Sequence, residues 1–161
     1  MKDTKAGRVG MRVVEIVKDK GATCAEILAA LPHWFGIPES NAAYARDVEA
    51  LPMFGAEQGG RVIGFLALKP QTPYATEIAV MGVRPEFHRR GAGTALVQHV
   101  EGLLRRNGRR FLTVKTRSDS RPDEGYARTL AFYQALGFVP IEEFPTLWNL
   151  ENPALMLIKA V

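Results

Sequence analysis

Glu77-Ile78-Ala79-Val80-Met81-Gly82-Val83-Arg84-Pro85-Glu86-Phe87-His88-Arg89-Arg90-Gly91-Ala92-Gly93-Thr94-Ala95-Leu96 reads as a strand, a tight basic glycine loop and the opening turns of a helix. Ile78 to Val83 is apolar and rich in β-branched residues, the composition of a buried strand. Pro85 ends it, since proline has no N–H to give a ladder. Gly91 and Gly93 lack Cβ, so the backbone there can turn sharply and come close to a bound group. From Ala92 onward Leu96, Val100, Leu103 and Leu104 recur at spacings of three and four, a helical period. A helix start carries unpaired N–H groups and the positive end of the dipole, and Arg89 and Arg90 flank this one. The stretch is a candidate phosphate cradle fed by a strand.

His88-Arg89-Arg90-Gly91-Ala92-Gly93 resembles the Gln/Arg-x-x-Gly-x-Gly/Ala signature of the GCN5-related N-acetyltransferases, the GNAT superfamily. Val83-Arg84-Pro85-Glu86 before it and Phe132-Tyr133-Gln134-Ala135-Leu136-Gly137-Phe138 after it match two further landmarks of that family in the usual order. The resemblance spans residues 11 to 160. His88 stands where the family prefers Gln or Arg, a departure that leaves a backbone cradle untouched.

Bulk properties set the frame. A chain of 161 residues with 47% hydrophobic and 24% charged residues fits one globular domain, expected over 11–161 behind a polar leader at 1–10. No stretch is long and apolar enough to span a membrane, and the start lacks the apolar core of a secretory signal. Cys24 is the only cysteine, so no intrachain disulfide can form and a reducing, cytoplasmic setting fits. Net charge is +4, but residues 84–110 alone hold seven arginines against Glu86 and Glu101, a local +5. Such a surplus beside a glycine loop suits a small polyanion better than nucleic acid, whose binders spread charge along a face or tail. Arg105, Arg106, Arg109 and Arg110 read mainly as a solvated helix end.

In chain order, the pattern predicts a strand over 11–17 and a helix over 23–31, with Thr23 and Glu26 at capping-box spacing. An aromatic loop comes next at 32–38, then a helix over 40–51. A hairpin is expected over 53–57 and 62–68 on the Gly59-Gly60 turn. Strand 75–83, helix 92–106 and strand 111–116 make a βαβ unit with parallel strands, its helix closed by Asn107-Gly108. A helix over 126–136, strands over 138–144 and 154–161, and a proline-bounded loop at 145–153 complete the chain. The sum is an α/β protein of the α+β type with about seven strands and helices on both faces. The resemblance implies the same: a mostly antiparallel GNAT sheet that splays open after the strand preceding the glycine loop.

The resemblance implies acetyl-CoA as co-substrate, its phosphates cradled by His88, Arg89, Arg90, Gly91, Ala92, Gly93 and Thr94. It also implies that Met81, Gly82 and Val83 pair through their backbone with the pantetheine arm. It places Glu77 where the histone-acetyltransferase branch has its general base, and Tyr133 where the family often has the acid that protonates the departing sulfur. The reaction would be direct transfer to a primary amine through a tetrahedral intermediate. Tyr126 occupies a position where the family often has asparagine. Other phosphate motifs are missing: there is no Gly-x-x-x-x-Gly-Lys-Ser/Thr loop, and no third glycine of a dinucleotide fingerprint. His33, His88 and His99 are scattered and suggest no metal site. Trp34, Phe35 and Trp148 are candidate walls for a small-molecule or peptide amine acceptor, or else a hydrophobic lid. Asp47, Glu49, Glu142 and Glu143 read as surface charges able to attract a cationic amine. No nucleic-acid or membrane partner is expected, and a homodimer is compatible with the family. A non-catalytic acyl-CoA-binding module is the alternative reading.

Overall fold

The computed structural model describes residues 10–161, so all but Gly10 of the expected leader lies outside the described residues. Seven strands form one sheet: β1 (Arg12–Glu15), β2 (Met53–Gln58), β3 (Arg61–Pro70), β4 (Ala75–Val83), β5 (Phe111–Arg117), β6 (Val139–Asn149) and β7 (Asn152–Ala160). Their order is β1-β2-β3-β4-β5-β7-β6. Only β4 and β5 run parallel, as the βαβ pattern predicts; every other pair is antiparallel. Helices α1 (Lys20–Ala29) and α2 (Pro38–Asp47) cover one face, while α3 (Ala92–Arg106) and α4 (Glu124–Ala135) cover the other.

The two faces hold separate cores. Leu96, Val97, Val100 and Leu104 of α3 pack with Ile78, Leu112, Val114 and Leu157 of the sheet. Cys24, Ile27 and Leu28 of α1 pack with Met53, Phe65, Ala67 and Val80. The ion pair Lys159 to Glu101, at 2.7 Å, ties α3 to β7.

Two features of β4 create the cleft. Ala67 pairs with Val80 but Leu68 pairs with Ile78, so Ala79 is an extra residue, a β-bulge. The bulge reverses the facing of the strand beyond it: Ile78 points to α3, whereas Val80 points to α1. The parallel ladder to β5 stops at the same place, with Ile78 opposite Val114. Residues 79–83 therefore keep β3 on one side and have no strand on the other among the described residues.

Local departures from the expected pattern have physical causes. Helix α1 begins three residues before Thr23, so Thr23 and Glu26 are interior and form no capping box. Its first turn is capped from a distance, because the Gly21 N–H donates to Glu49 Oε1 at 2.8 Å. Glu49 is thus a tertiary cap, not a free surface charge, and Glu26 instead accepts from Arg84 Nη2 at 2.9 Å. Helix α2 begins with Pro38 in its first turn, where its missing N–H costs nothing, and ends in a 3₁₀ turn over Val48–Ala50. The loop expected at 145–153 is mostly strand. β6 continues through Pro145 to Asn149, and β7 already begins at Asn152. Pro140 and Pro145 are tolerated because they sit at irregularities of the ladder on an edge strand.

Candidate active site

The glycine loop is set by two left-handed residues. Arg89 has φ +61° and Gly91 has φ +88°, and Gly91 is the N-cap of α3. No side chain caps that helix start, so its first-turn N–H groups remain available to an anion. The two glycines differ in purpose. Gly91 supplies the turn, while a Cβ at Gly93 would come 3.0 Å from the Phe132 ring, so Gly93 lets α3 and α4 meet. His88 Nε2 lies 2.6 Å from the Val83 carbonyl. A carbonyl only accepts, so Nε2 carries the proton and donates, tying the loop to the end of β4.

The arginines near the loop do not act together. Arg84 is buried and bonded to Val62 O and Glu26. Arg90 lies over the Phe87 ring at 5.7 Å, and Arg109 donates to Thr72 O at 2.9 Å. Arg89 is the arginine of this loop that lines the cleft. Arg84, Arg90 and Arg109 are thus engaged by protein contacts, with Arg84 the only one of the seven in an ion pair among the described residues.

The cleft has a volume of about 1610 Å³ and runs from the glycine loop, through the gap between β4 and β5, to the face covered by α1 and α2. Its wall brings together Glu77, Met81, Gly82, Val83, His88, Arg89, Gly91, Ala92, Gly93, Thr94 and Tyr133. Trp34, Phe35 and Trp148 line it too. Of the residues expected to hold the donor, Arg90 alone stays off this wall, and of the acids expected to attract an amine only Asp47 lines it. Trp148 reaches it from the β6–β7 hairpin rather than from a loop.

Glu77 does not point to solvent. Its side chain is 13% exposed, and its carboxylate is held by the Lys115 ammonium on the neighbouring strand. Tyr133 is 5% exposed, edge-on to Phe132 at 5.2 Å and to Phe138 at 5.5 Å. Burial pushes its phenol well above the ordinary tyrosine range, so it stays protonated. Phe132 is only partly buried and also faces the cleft.

A second group of residues was not legible as a unit. Asp123 caps α4 by accepting from Tyr126 N at 3.1 Å, and it accepts from His33 Nε2 at 3.0 Å. These bonds, the His33 one foremost, hold the Asp123 carboxyl below the usual carboxylate range. The Tyr126 hydroxyl donates to the Trp34 carbonyl at 2.6 Å. Trp34 also sets its ring against His88 at 5.7 Å. The loop between α1 and α2 is thus fastened to the start of α4 and to the glycine loop. Tyr126, the departure from the family's asparagine, is one of the fasteners. The aromatic content of 32–38 was a signal; its partners, His88, Asp123 and Tyr126, lie far along the chain and left no trace in local spacing.

The chain's likeness to other proteins agrees with this geometry. A profile described as the acetyltransferase (GNAT) family matches residues 22–138. No curated protein sequence matches the chain. Among solved structures, a GNAT-family protein from Desulfovibrio desulfuricans superposes with a TM-score of 0.80 at 17% identity, over 94% of this chain and 99% of that one. A GNAT acetyltransferase from Elizabethkingia anophelis with acetyl-CoA bound gives 0.73 at 16% identity, over 94% and 98%. The aminoglycoside 6'-N-acetyltransferase from Enterococcus faecium gives 0.71 at 18% identity, over 92% and 96%. At these identities the structures speak to the fold, and the profile match speaks to the family. A bulged strand open on one side, leading into an uncapped glycine-led helix within the matched span, belongs with that assignment: the chain is a member of the acetyltransferase (GNAT) family, an acyltransferase whose acetyl donor is acetyl-CoA.

Proposed function

We propose that the protein moves an acetyl group directly from acetyl-CoA to a primary amine. The observation that carries this reading is the open side of β4 at 79–83 running into the uncapped start of α3. Residues 91–94 offer N–H groups to the phosphates, with Arg89 beside them. The backbone of Met81, Gly82 and Val83 offers strand-like pairing to the pantetheine arm. The donor supplies an activated acetyl thioester.

The chain's own residues manage the protons. The amine nitrogen forms a bond to the acetyl carbon and loses one proton, while the carbon–sulfur bond breaks and the sulfur gains one. Glu77 is the base that takes the first proton, directly or through water; its place on the cleft wall beside the gap favours it over a solvent role. Tyr133 gives a hydrogen bond or its proton to the sulfur, since burial keeps the phenol protonated and no protein group competes for it among the described residues. Trp34, Phe35 and Trp148 form the acceptor's walls. The acceptor is a small molecule or peptide amine. Among the described residues no helix is long and apolar enough to cross a membrane. A cytoplasmic setting suits a chain whose single cysteine is buried and unpaired.

The test is amine-dependent thiol release. Incubation with acetyl-CoA and a panel of amino acids, peptides, polyamines and aminoglycosides should release thiol only with an acceptor present, and mass spectrometry should find that amine acetylated. Tight acetyl-CoA binding without transfer to any amine would favour the non-catalytic binding module.

A further inference from the structure

The unpaired polar atoms of the interior are concentrated at one place. Among the described residues, three buried side-chain atoms lack a hydrogen-bond partner: Trp34 Nε1, Asn41 Oδ1 and Arg117 Nε. All three residues line the cleft. Buried groups left unpaired are rare and costly, so their collection on one wall points to a ligand that completes them. Asn41 is oriented by its amide N–H₂ donating to Phe35 O at 2.8 Å, which leaves its oxygen as the free end.

Two of the three are donors, and both lie by the start of α4. The Arg117 guanidinium lies 5.6 Å over the Tyr126 ring, and a Cβ on Gly125 would fall 3.3 Å from Cε2 of the Trp34 indole, the atom bonded to Nε1. Arg117 has Asp123 as its one ion-pair partner among the described residues, at 3.6 Å, too long for a good hydrogen bond. It sits on β5 beyond the last β4–β5 pair, two residues after Lys115 and on the same face.

The charge on this side of the cleft is positive. Lys115 already holds Glu77. Arg46 and Lys69 also line the wall and make no ion pair among the described residues, against Asp47 alone. Such a wall repels a polycation. It is bordered by Trp34, Phe35, Tyr44, Leu147 and Trp148, so the body of the ligand meets apolar and aromatic surface.

We infer that the acceptor is an amino acid with an apolar side chain, its carboxylate bound by Arg117 and the Trp34 indole N–H. A planar guanidinium suits a carboxylate, and an indole N–H is a donor only. This inference rests on the acetyltransferase reading above and names its acceptor class.

The experiment compares matched acceptors with the full chain and acetyl-CoA: L-phenylalanine against phenethylamine, L-leucine against isoamylamine, and spermidine as a polycation. The carboxylate-bearing member of each pair should have the higher kcat/KM by about 10- to 100-fold, the range for a charge-assisted hydrogen bond. Spermidine should be the poorest. Arg117→Gln should erase the preference within each pair while leaving acetyl-CoA affinity within about 3-fold, a pattern that a folding defect would not produce. Equal or faster turnover of the decarboxylated amines or of spermidine overturns the inference and leaves the transferase standing. So does an Arg117→Gln variant that loses acetyl-CoA affinity but keeps the preference, since Arg117 would then serve the donor. Acetyl-CoA binding with no amine acetylated brings down the transferase reading, and the acceptor class with it.

Discussion

Tyr133 and Cys24 are both buried acids whose pKa is raised by the same cause, loss of water, yet only Tyr133 faces a cleft. Cys24 is fully buried, and burial pushes its thiol up to about 12. Little thiolate exists in the native protein, so a thiol reagent should label Cys24 only at the rate of unfolding, whereas labelling at the rate of a free thiol would contradict this placement. The fold keeps a proton that the unfolded chain gives up, so stability falls as pH rises past the ordinary cysteine range. Tyr133→Phe keeps the packing against Phe132 and Phe138 and removes only the hydroxyl. It should lower kcat by about 10²-fold or more with little change in acetyl-CoA affinity, and unchanged kcat would remove Tyr133 from the mechanism. Tyr133 stood out in the sequence because it lies in the 132–138 motif, and Glu77 because of its place on the strand before the glycine loop. The Lys115 partner of Glu77 was not, since cross-strand neighbours are set by register between segments far apart in sequence.

At the scale of elements, strand β4, helix α3 and the hairpin on Gly59-Gly60 match their sequence patterns closely, because period, proline and glycine signals all agree there. Two elements did not. The bulge at Ala79 has no sequence mark, since an extra residue in an apolar run looks like any other. The 145–153 segment contains prolines that read as loop, but an edge strand tolerates them. The fastened loop between α1 and α2 can be loosened from either side. A Cβ at Gly125 would fall 2.5 Å from the His33 ring, so Gly125→Ala must shift the loop. The expected cost is about 1–3 kcal/mol of stability in thermal unfolding, with a changed KM for the amine and an unchanged affinity for acetyl-CoA. Asp123 binds its proton less readily when folded, so its contribution is present above the ordinary aspartate range and is lost as pH falls through and below it. Asp123→Asn can still cap α4, but it should flatten this acid limb in denaturation at graded pH. An unaltered limb would mean that the His33 contact does not persist in solution.

At the scale of the molecule, the sheet divides two cores and the cleft passes between them where β4 and β5 part. Leu96 is fully buried at the centre of the core on the α3 face, so Leu96→Ala should cost about 2–5 kcal/mol in denaturant unfolding; a cost below about 1 kcal/mol would mean that α3 is less firmly seated than its burial implies. The same helix presents the proposed phosphate cradle, so stability and donor affinity should fall together in that variant. The far edge of the sheet is guarded: Pro140, Pro145, Glu142 and Glu143 along β6 discourage another strand from adding there. The layered α+β architecture was legible from the order of elements. The positive side of the cleft was not, because the residues forming it come from α2, β3 and β5 and meet only after folding. The central claim is that the donor lies along the open side of β4 with its phosphates at the start of α3. Backbone amide chemical shifts tracked by NMR during titration with coenzyme A test it most directly. The largest shifts should fall on residues 79–83 and 91–94, with β1 and β2 silent. Saturable binding that moves amides elsewhere and leaves 91–94 unperturbed would contradict it.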